Sequence, residues 1–451
     1  MLLSASKLFR KKFNNDYLKD TYANKIAHKV SPGLDRVNRT VFERKLEDYL
    51  TIISRKTQNG TYKFTPYMEK LLSKGRGKLP RVISIPTIRD KITLSVLNQI
   101  LTEVYSDKIE KRLTQSIVED IKQSVKSTEY NYFIKIDIKN FFDSINQTIL
   151  LEKINKRIKK NEIIELIQKA IQTPTIPEGK QNKIFPTPTT GVPQGISISN
   201  ILANIYLADL DQKFNKYKGI KYFRYVDDIL IICNISKKNK IVKTIKNELC
   251  DKLKLSLNDK WKEGELTSGF EYLGYCYTKF KGDYYGFTVK NGSLMKLENS
   301  ILRTFKEYRK EMNSQQFIWN LNNRITGFVI EGNKFGWLFF YSQIDNVAVL
   351  YHLDWFVQKM CAVYKVDFEL RRHVKKFVKA YFEIIKKRGK SGYIPNSARF
   401  SLNEQKRTLQ FIFNYKKSDL DKMSDDDIKL HFKRKLYISV KDLEKDVQSF
   451  S

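Results

Sequence analysis

A chain of 451 residues is too long for one compact core and implies two or three domains or subdomains. Its 41% apolar and 13% aromatic residues exclude wholesale disorder. The 83 Lys and Arg against 49 Asp and Glu give a formal charge of +34. Such a field favours a polyanion, because neutralised phosphates release counterions, although a Lys-rich solvated surface would carry the same excess.

Up to about Asn131 the chain reads as mostly helical with a hairpin-like break. Asn59-Gly60 begins a turn, and Gly75 to Lys78 is a basic loop running into Arg81-Val82-Ile83-Ser84-Ile85-Pro86. Ile92, Val96, Leu97, Ile100, Leu101 and Val104 then follow helical spacing from Asp90 to Ile109. From Asn131 the period becomes two, with Ile134, Ile136 and Ile138 on one strand face and Phe133, Lys135 and Asp137 on the other. A helix is expected from Thr148 to Ile171, then Pro/Gly clusters, then a long helix from about Ser197 to Tyr217. KYFRYVDDILIIC reads as strand, tight turn, strand, with the Asp pair forming the turn. Lys237 to Leu253 returns to helix, and Phe270 to Tyr275 is strand or turn. This order suits an antiparallel sheet with helices on one face.

After Tyr275 helical spacing resumes, with Trp337, Phe339, Phe340 and Leu350 as apolar anchors. Lys375, Lys376, Lys379, Lys386, Lys387 and Arg388 form either a solvated face or an RNA-backbone track. Ser424 before Asp425-Asp426-Asp427 has the pattern of a helix N-cap with first-turn acids. Cys233, Cys250, Cys276 and Cys361 have no paired zinc spacing, and Cys233 sits in an apolar run as a small core residue. MLLSASKLFRKKF is too short in its apolar part for a signal peptide, and no segment approaches the roughly 20 apolar residues of a membrane span. The expectation is a soluble cytoplasmic protein without a membrane partner.

Acids stand where acids are costly. Asp137 interrupts a β-branched strand, and Asp227-Asp228 lies between Tyr225-Val226 and Ile229-Leu230-Ile231-Ile232. Burying a lone carboxylate is unfavourable. An Asp pair alone is commonly a surface turn, but a hairpin beside Asp137 would gather charge that hard divalent cations stabilise. Two such ions about 3.5–4 Å apart can activate a 3′-hydroxyl and stabilise the leaving pyrophosphate.

Five ordered blocks resemble the palm of reverse transcriptases, especially the prokaryotic group of group II intron, retron and defence-associated enzymes. They are FIKIDIKNFFDSI, GVPQGISISNILANIYL, YVDD, LSLNDK and FEYLGY, with KLPRVISIPTIRDKI upstream resembling the finger segment. The resemblance implies an α+β right-hand polymerase with fingers, an RRM-like palm and a helical thumb. Its parts would be an N-terminal extension and fingers (1–130), palm (131–278, with a helical insertion about 148–190), thumb (279–390) and a basic helical extension (391–451). Asp137, Ile138, Asp227 and Asp228 take the metal-binding positions, for two magnesium ions with manganese as a substitute. Lys260 takes the place of a proton donor near the pyrophosphate. Arg81, helped by Lys78, would contact the incoming triphosphate, with Phe142 as the gate against a ribose 2′-hydroxyl and Gln194 beside the nucleotide. Gly195, Ser199, Tyr225, Tyr272, Leu273 and Gly274 would face template and primer. Core packing for Phe142 and plain surface roles for Arg81 and Lys260 remain the alternatives.

NNRITG, FGW and LDWFV look like the thumb of defence-associated members, and nothing after Leu350 resembles a zinc nuclease finger or a ribonuclease H acidic set. The implied function is RNA-directed DNA synthesis in anti-phage defence. Its partners would be a structured noncoding RNA as template or scaffold, dNTPs, nascent DNA and a second copy in a homo-oligomer. A retron or intron-type enzyme, template-independent or protein-primed synthesis, and a non-catalytic RNA-binding scaffold are the alternatives.

Overall fold

The computed structural model describes residues 4–27, 31–73, 75, 77, 79–110, 112–180, 185–258, 261–280, 282, 284–310, 312–387 and 391–447. It divides into two compact units, Met1–Lys111 with Ile134–Glu263 and Arg112–Phe133 with Gly264–Ser451.

The first unit opens on helices. Ser4 and Asn14 accept hydrogen bonds from the backbone N–H of Lys7 and Tyr17, capping Ala5–Lys12 and Asn15–Thr21. Helix Ile88–Val104 is buried over most of its surface, which fits the dense apolar positions of that stretch. Its first turn holds Asp90, fully buried, which accepts from Tyr62 Oη at 2.7 Å, Thr87 Oγ1 at 2.8 Å and Thr65 N at 3.1 Å. This acid is satisfied by three donors and ties the helix to the chain that enters the first hairpin.

That hairpin pairs β1 (Tyr67–Leu72) antiparallel with β2 (Arg81–Ile85), from Met68 opposite Ile85 to Leu72 opposite Arg81. The alternating segment forms β3 (Tyr132–Asp137), with Ile134 and Ile136 wholly buried. One helix was expected over 148–171, but the chain forms two, Gln147–Asn155 and Asn161–Gln172. The apolar stripe Leu150, Ile154, Ile158 skips five residues to Ile163, so a continuous helix would swing it off the core; the break restores it. β4 (Thr175–Ile176) adds parallel to β1. Helix Ser199–Asn215 precedes β5 (Ile220–Tyr225) and β6 (Asp228–Cys233), which pair antiparallel. After β6, helix Lys238–Lys246 runs into a wider turn over Asn247–Lys252, then β7 (Lys262–Glu265) follows. The resulting sheets have the orders β2-β1-β4 and β5-β6-β3-β7. Ile229 to Cys233 are buried on both strand faces, which explains their unbroken apolar run.

In the second unit β8 (Phe270–Tyr272), β9 (Tyr275–Lys279) and β10 (Tyr285–Val289) form a sheet of order β10-β9-β8. Helices Asn291–Lys310, Ser314–Thr326, Ala348–Val363 and Phe377–Lys387 follow the expected spacing, and Trp337, Phe339 and Leu350 are buried as anchors. The helical reading misses a hairpin, β11 (Phe328–Ile330) with β12 (Asn333–Phe335). Its two turn residues, Glu331 and Gly332, have φ of 49° and 79°, the left-handed pair that matches strand twist. Phe328 and Ile330 pack there with Leu409, Leu436, Val440 and Leu443, so residues 402–444 are part of this unit's core rather than a loose tail. Ser424 caps Asp425–Glu444 by accepting from Asp427 N at 3.2 Å, as its sequence pattern implied. No helix among the described residues is long and apolar enough to cross a membrane.

Arg324, 6% exposed, fastens this unit by donating to Ser300, Asp442 and Asp446. Removing one partner leaves a buried charge, which costs about 3–5 kcal/mol. Asp446→Ala is therefore expected to lower stability by about that amount in chemical denaturation, whereas Lys429→Ala, which breaks an exposed pair with Asp426, should change it little.

Candidate active site

Two strands deliver the carboxylates. Asp137 ends β3, and the backbone N–H of Ile138 donates to the Asp227 carbonyl at 3.4 Å, holding the strand end against the β5–β6 turn. Tyr225 pairs with Asp228, so the turn consists of Val226 and Asp227, and Asp228 opens β6. This corrects the expectation that the Asp pair forms the turn. Val226 has φ of 56°, a left-handed backbone that a β-branched residue adopts only under strain of about 1–3 kcal/mol. Arg224 supports the strained turn: its guanidinium donates to the Val226 carbonyl at 2.8 Å and, on its other side, to both carboxylate oxygens of Asp211 on helix Ser199–Asn215.

The charge of Asp137 bears on both Asp227 and Asp228. Burial pushes the Asp227 carboxyl up, and the charge of Asp137 adds to the rise, while Arg81 and Arg224 oppose it. Burial pushes Asp228 up to about 7; Lys135, with Nζ 3.4 Å from Oδ2, opposes the rise, and Asp137 and Asp227 add to it. Asn258 donates its side-chain amide to Asp137 Oδ2 and its backbone N–H to the Asp137 carbonyl, both at 2.9 Å. Among the described residues no three His, Cys, Asp or Glu side chains stand at metal-ligand spacing, and here Asn258 and Lys135 engage two of the acids. The donor set nonetheless suits magnesium: hard carboxylate oxygens, those of Asp227 and Asp228 desolvated, with repulsion from Asp137 that a dication would relieve.

The substrate-facing expectations divide. Arg81 opens β2, and its charge reaches Asp227. Gln194 lies against the same strand, its carbonyl accepting from Ser84 N at 2.7 Å and its amide 3.4 Å from Asp143 Oδ1. Gly195 has φ of 101°, and a Cβ there would stand 2.6 Å from Ile83 Cγ2, so only glycine lets this turn seat on β2. Phe142 is half-buried, and its carbonyl accepts from Val192 N at 2.8 Å, joining the first catalytic block to the Pro-Gln-Gly turn. Ser199 faces inward: it is buried and its hydroxyl donates to the Pro193 carbonyl at 2.6 Å, which fixes the turn and the helix start. Tyr225 is half-buried beside the turn. Tyr272, Leu273 and Gly274 belong to the second unit, where Leu273 and Gly274, with φ of 49° and 78°, turn β8 into β9. Lys78 and Lys260 lie outside the described residues.

Three supporting residues were not singled out from sequence. Lys135 stands two residues before Asp137, so the strand period alone puts both on one face. Asn258 sits inside the LSLNDK block. Arg224 had no local signal, because its partner Asp211 comes from another element.

The Asp228 shift predicts a pH dependence. Between the ordinary value of 3.8 and about 7 the folded protein holds a proton that the unfolded chain has released. Stability should therefore fall as pH rises through that window when divalent ions are chelated. Asp228→Asn should flatten that slope, and added magnesium should restore melting temperature above pH 7 in the wild type but not in the variant.

Residues 73–277 match the family model described as Reverse transcriptase (RNA-dependent DNA polymerase). Protein YkfC of Escherichia coli K12 is 25% identical over 312 residues, 58% of this chain and 80% of YkfC. Group II intron-encoded protein LtrA of Lactococcus lactis subsp. cremoris is 29% identical over 174 residues, and the match spans 37% of this chain and 28% of LtrA. Apo telomerase from Candida tropicalis superposes with a TM-score of 0.46 at 15% identity, covering 92% of this chain and 73% of the telomerase. With the mixed helix and sheet content of a right-hand polymerase already described, the matched blocks lead to one conclusion: the chain carries a reverse transcriptase domain, and its enzyme class is RNA-directed DNA polymerase.

Proposed function

We propose that the chain makes DNA on an RNA template by nucleotidyl transfer at Asp137, Asp227 and Asp228, in prokaryotic anti-phage defence with a cognate structured noncoding RNA. The observation that carries the chemistry is the coupling of these three carboxylates across the β3 end and a strained, Arg224-clamped turn. Two magnesium ions bound there, or manganese in their place, would supply Lewis-acid activation of the 3′-hydroxyl and charge stabilisation on the pyrophosphate.

The chain's own residues do the rest. Asp137, Asp227 and Asp228 hold the metals, beside Ile138. Lys135 and Asn258 orient Asp228 and Asp137, keeping each acid aimed while its charge is partly offset. Arg81, with Lys78, offsets triphosphate charge, and Lys260 gives a proton to the leaving group. Phe142 closes the space a ribose 2′-hydroxyl would need. Gln194 and Gly195, seated on β2, position the nucleotide, with Ser199 bracing that turn from inside. Residues 1–130 act as an N-terminal extension and fingers, 131–278 as palm, 279–390 as thumb and 391–451 as a basic helical extension. Tyr272, Leu273 and Gly274 form the primer grip.

The defence reading rests on the resemblance of the NNRITG, FGW and LDWFV elements to the thumb of defence-associated members. Similarity to LtrA favours a second reading, an intron-type enzyme. Sequencing the RNA that co-purifies separates them: a discrete noncoding RNA supports the first, intron ends the second.

Asp227→Ala combined with Asp228→Ala should reduce magnesium-dependent dNTP incorporation on a primed RNA by a factor on the order of 1,000 or more. Normal synthesis by that variant would remove the metal assignment. Phe142→Ala should keep dNTP incorporation and improve use of ribonucleotides roughly tenfold to a hundredfold, read as the ratio of kcat/KM for the two substrates.

A further inference from the structure

The second unit has an open cavity of about 680 Å3 between helix Ser314–Thr326, residues 392–400 and the start of helix Leu402–Phe411. That volume lies within the range of roughly 300–1,000 Å3 typical of small-ligand sites. Aromatic side chains make part of its wall: Trp319 and Phe400 meet edge to face at 6.1 Å and 77°. Two polar groups of the lining residues make no hydrogen bond within the described residues. The indole N–H of Trp319 is buried without a hydrogen-bond partner. Asn323 lines the cavity at 5% exposure, and among the described residues its side-chain amide has no partner. A buried N–H such as that of Trp319 is left unpaired only at a cost, and the Asn323 amide stays available to a ligand in the cavity.

Cations line the same cavity. Lys375 and Arg399 are each braced by donating to a backbone carbonyl, of Tyr393 and Ser391, both at 2.6 Å, and His373 stands with them. The one acid of the lining, Glu404, is engaged elsewhere: it accepts from the Ser401 N–H and hydroxyl at 2.8 Å in a capping box. A purely apolar ligand would leave the Asn323 amide without a partner. A simple anion would make no use of the aromatic wall.

We propose that this cavity binds a nucleotide, its base against Trp319 and Phe400 with the Asn323 amide on the polar edge, and its phosphate at Lys375, Arg399 and His373. The base belongs either to a free nucleotide or to an unpaired position of a single strand, since both present the same face and the same phosphate. The site lies in the unit that does not carry the three carboxylates, and it does not depend on the polymerase reading.

The test uses the full chain in EDTA, which removes metal-dependent nucleotide binding at the carboxylates. AMP, GMP, adenosine and a single-stranded octaribonucleotide are titrated by calorimetry against wild type, Asn323→Ala and Arg399→Gln. Asn323→Ala should weaken nucleotide binding about tenfold while leaving the melting temperature unchanged or higher, because the lost amide had no partner. Arg399→Gln should weaken AMP and GMP but not adenosine. Saturable binding of the mononucleotides with this dependence assigns a free-nucleotide site; the same dependence with the octamer alone assigns a base of a single strand. The proposal is overturned if neither probe binds, if neither substitution alters binding, or if Asn323→Ala lowers the melting temperature as loss of a structural hydrogen bond would. DNA synthesis by the same variants on a primed template reports on the polymerase reading separately.

Discussion

The site turns on the clamp that Arg224 places on a strained turn. A left-handed Val226 would relax if nothing held it, and relaxation would move Asp227 and Asp228 relative to β3. Arg224 prevents this by bridging the Val226 carbonyl to Asp211 on the helix behind β5. The helix is itself seated by Ser199, whose hydroxyl fixes the Pro-Gln-Gly turn that docks on β2. One chain of hydrogen bonds therefore links the carboxylates, the helix and the strand that Arg81 opens. Strain at a functional site persists when its surroundings over-determine it, and these surroundings do.

Electrostatics pulls against this geometry. Three acids share one corner, and burial is the largest cause of the raised Asp227 and Asp228 values. Lys135 and Asn258 offset part of that cost without removing it. A protein that needed only a stable hairpin would gain by replacing these acids with apolar residues. Their presence fits the proposed metal site, which would use concentrated negative charge.

The second unit solves a different problem. Its core includes a short hairpin and a long C-terminal helix far apart in sequence, joined through Phe328, Ile330 and Leu436 and locked by Arg324 on Asp442 and Asp446. This packing makes residues 402–444 integral to the unit, and it frames the cavity beside Trp319. Aromatic density that reads from sequence as simple core material is here divided between core, as at Trp337, and cavity wall, as at Trp319.

The sequence by itself determined the strand period through Asp137, a hairpin before the Ile229 run (though one residue off in its turn), the Ser424 cap and the order of the polymerase blocks, because each depends on neighbours within a few residues. It misjudged the 148–171 helix, where one register slip decides between one helix and two. It also missed the β11–β12 hairpin, whose turn needs two left-handed residues and whose strands are justified only by the helix they meet about a hundred residues later. Tertiary structure alone decided that Arg224 clamps the turn, that Ser199 faces inward, that Asn258 and Lys135 attend the acids and that the Asn323 side chain has no partner among the described residues. Those outcomes are set by contacts between distant segments, and no local pattern encodes which distant group will arrive.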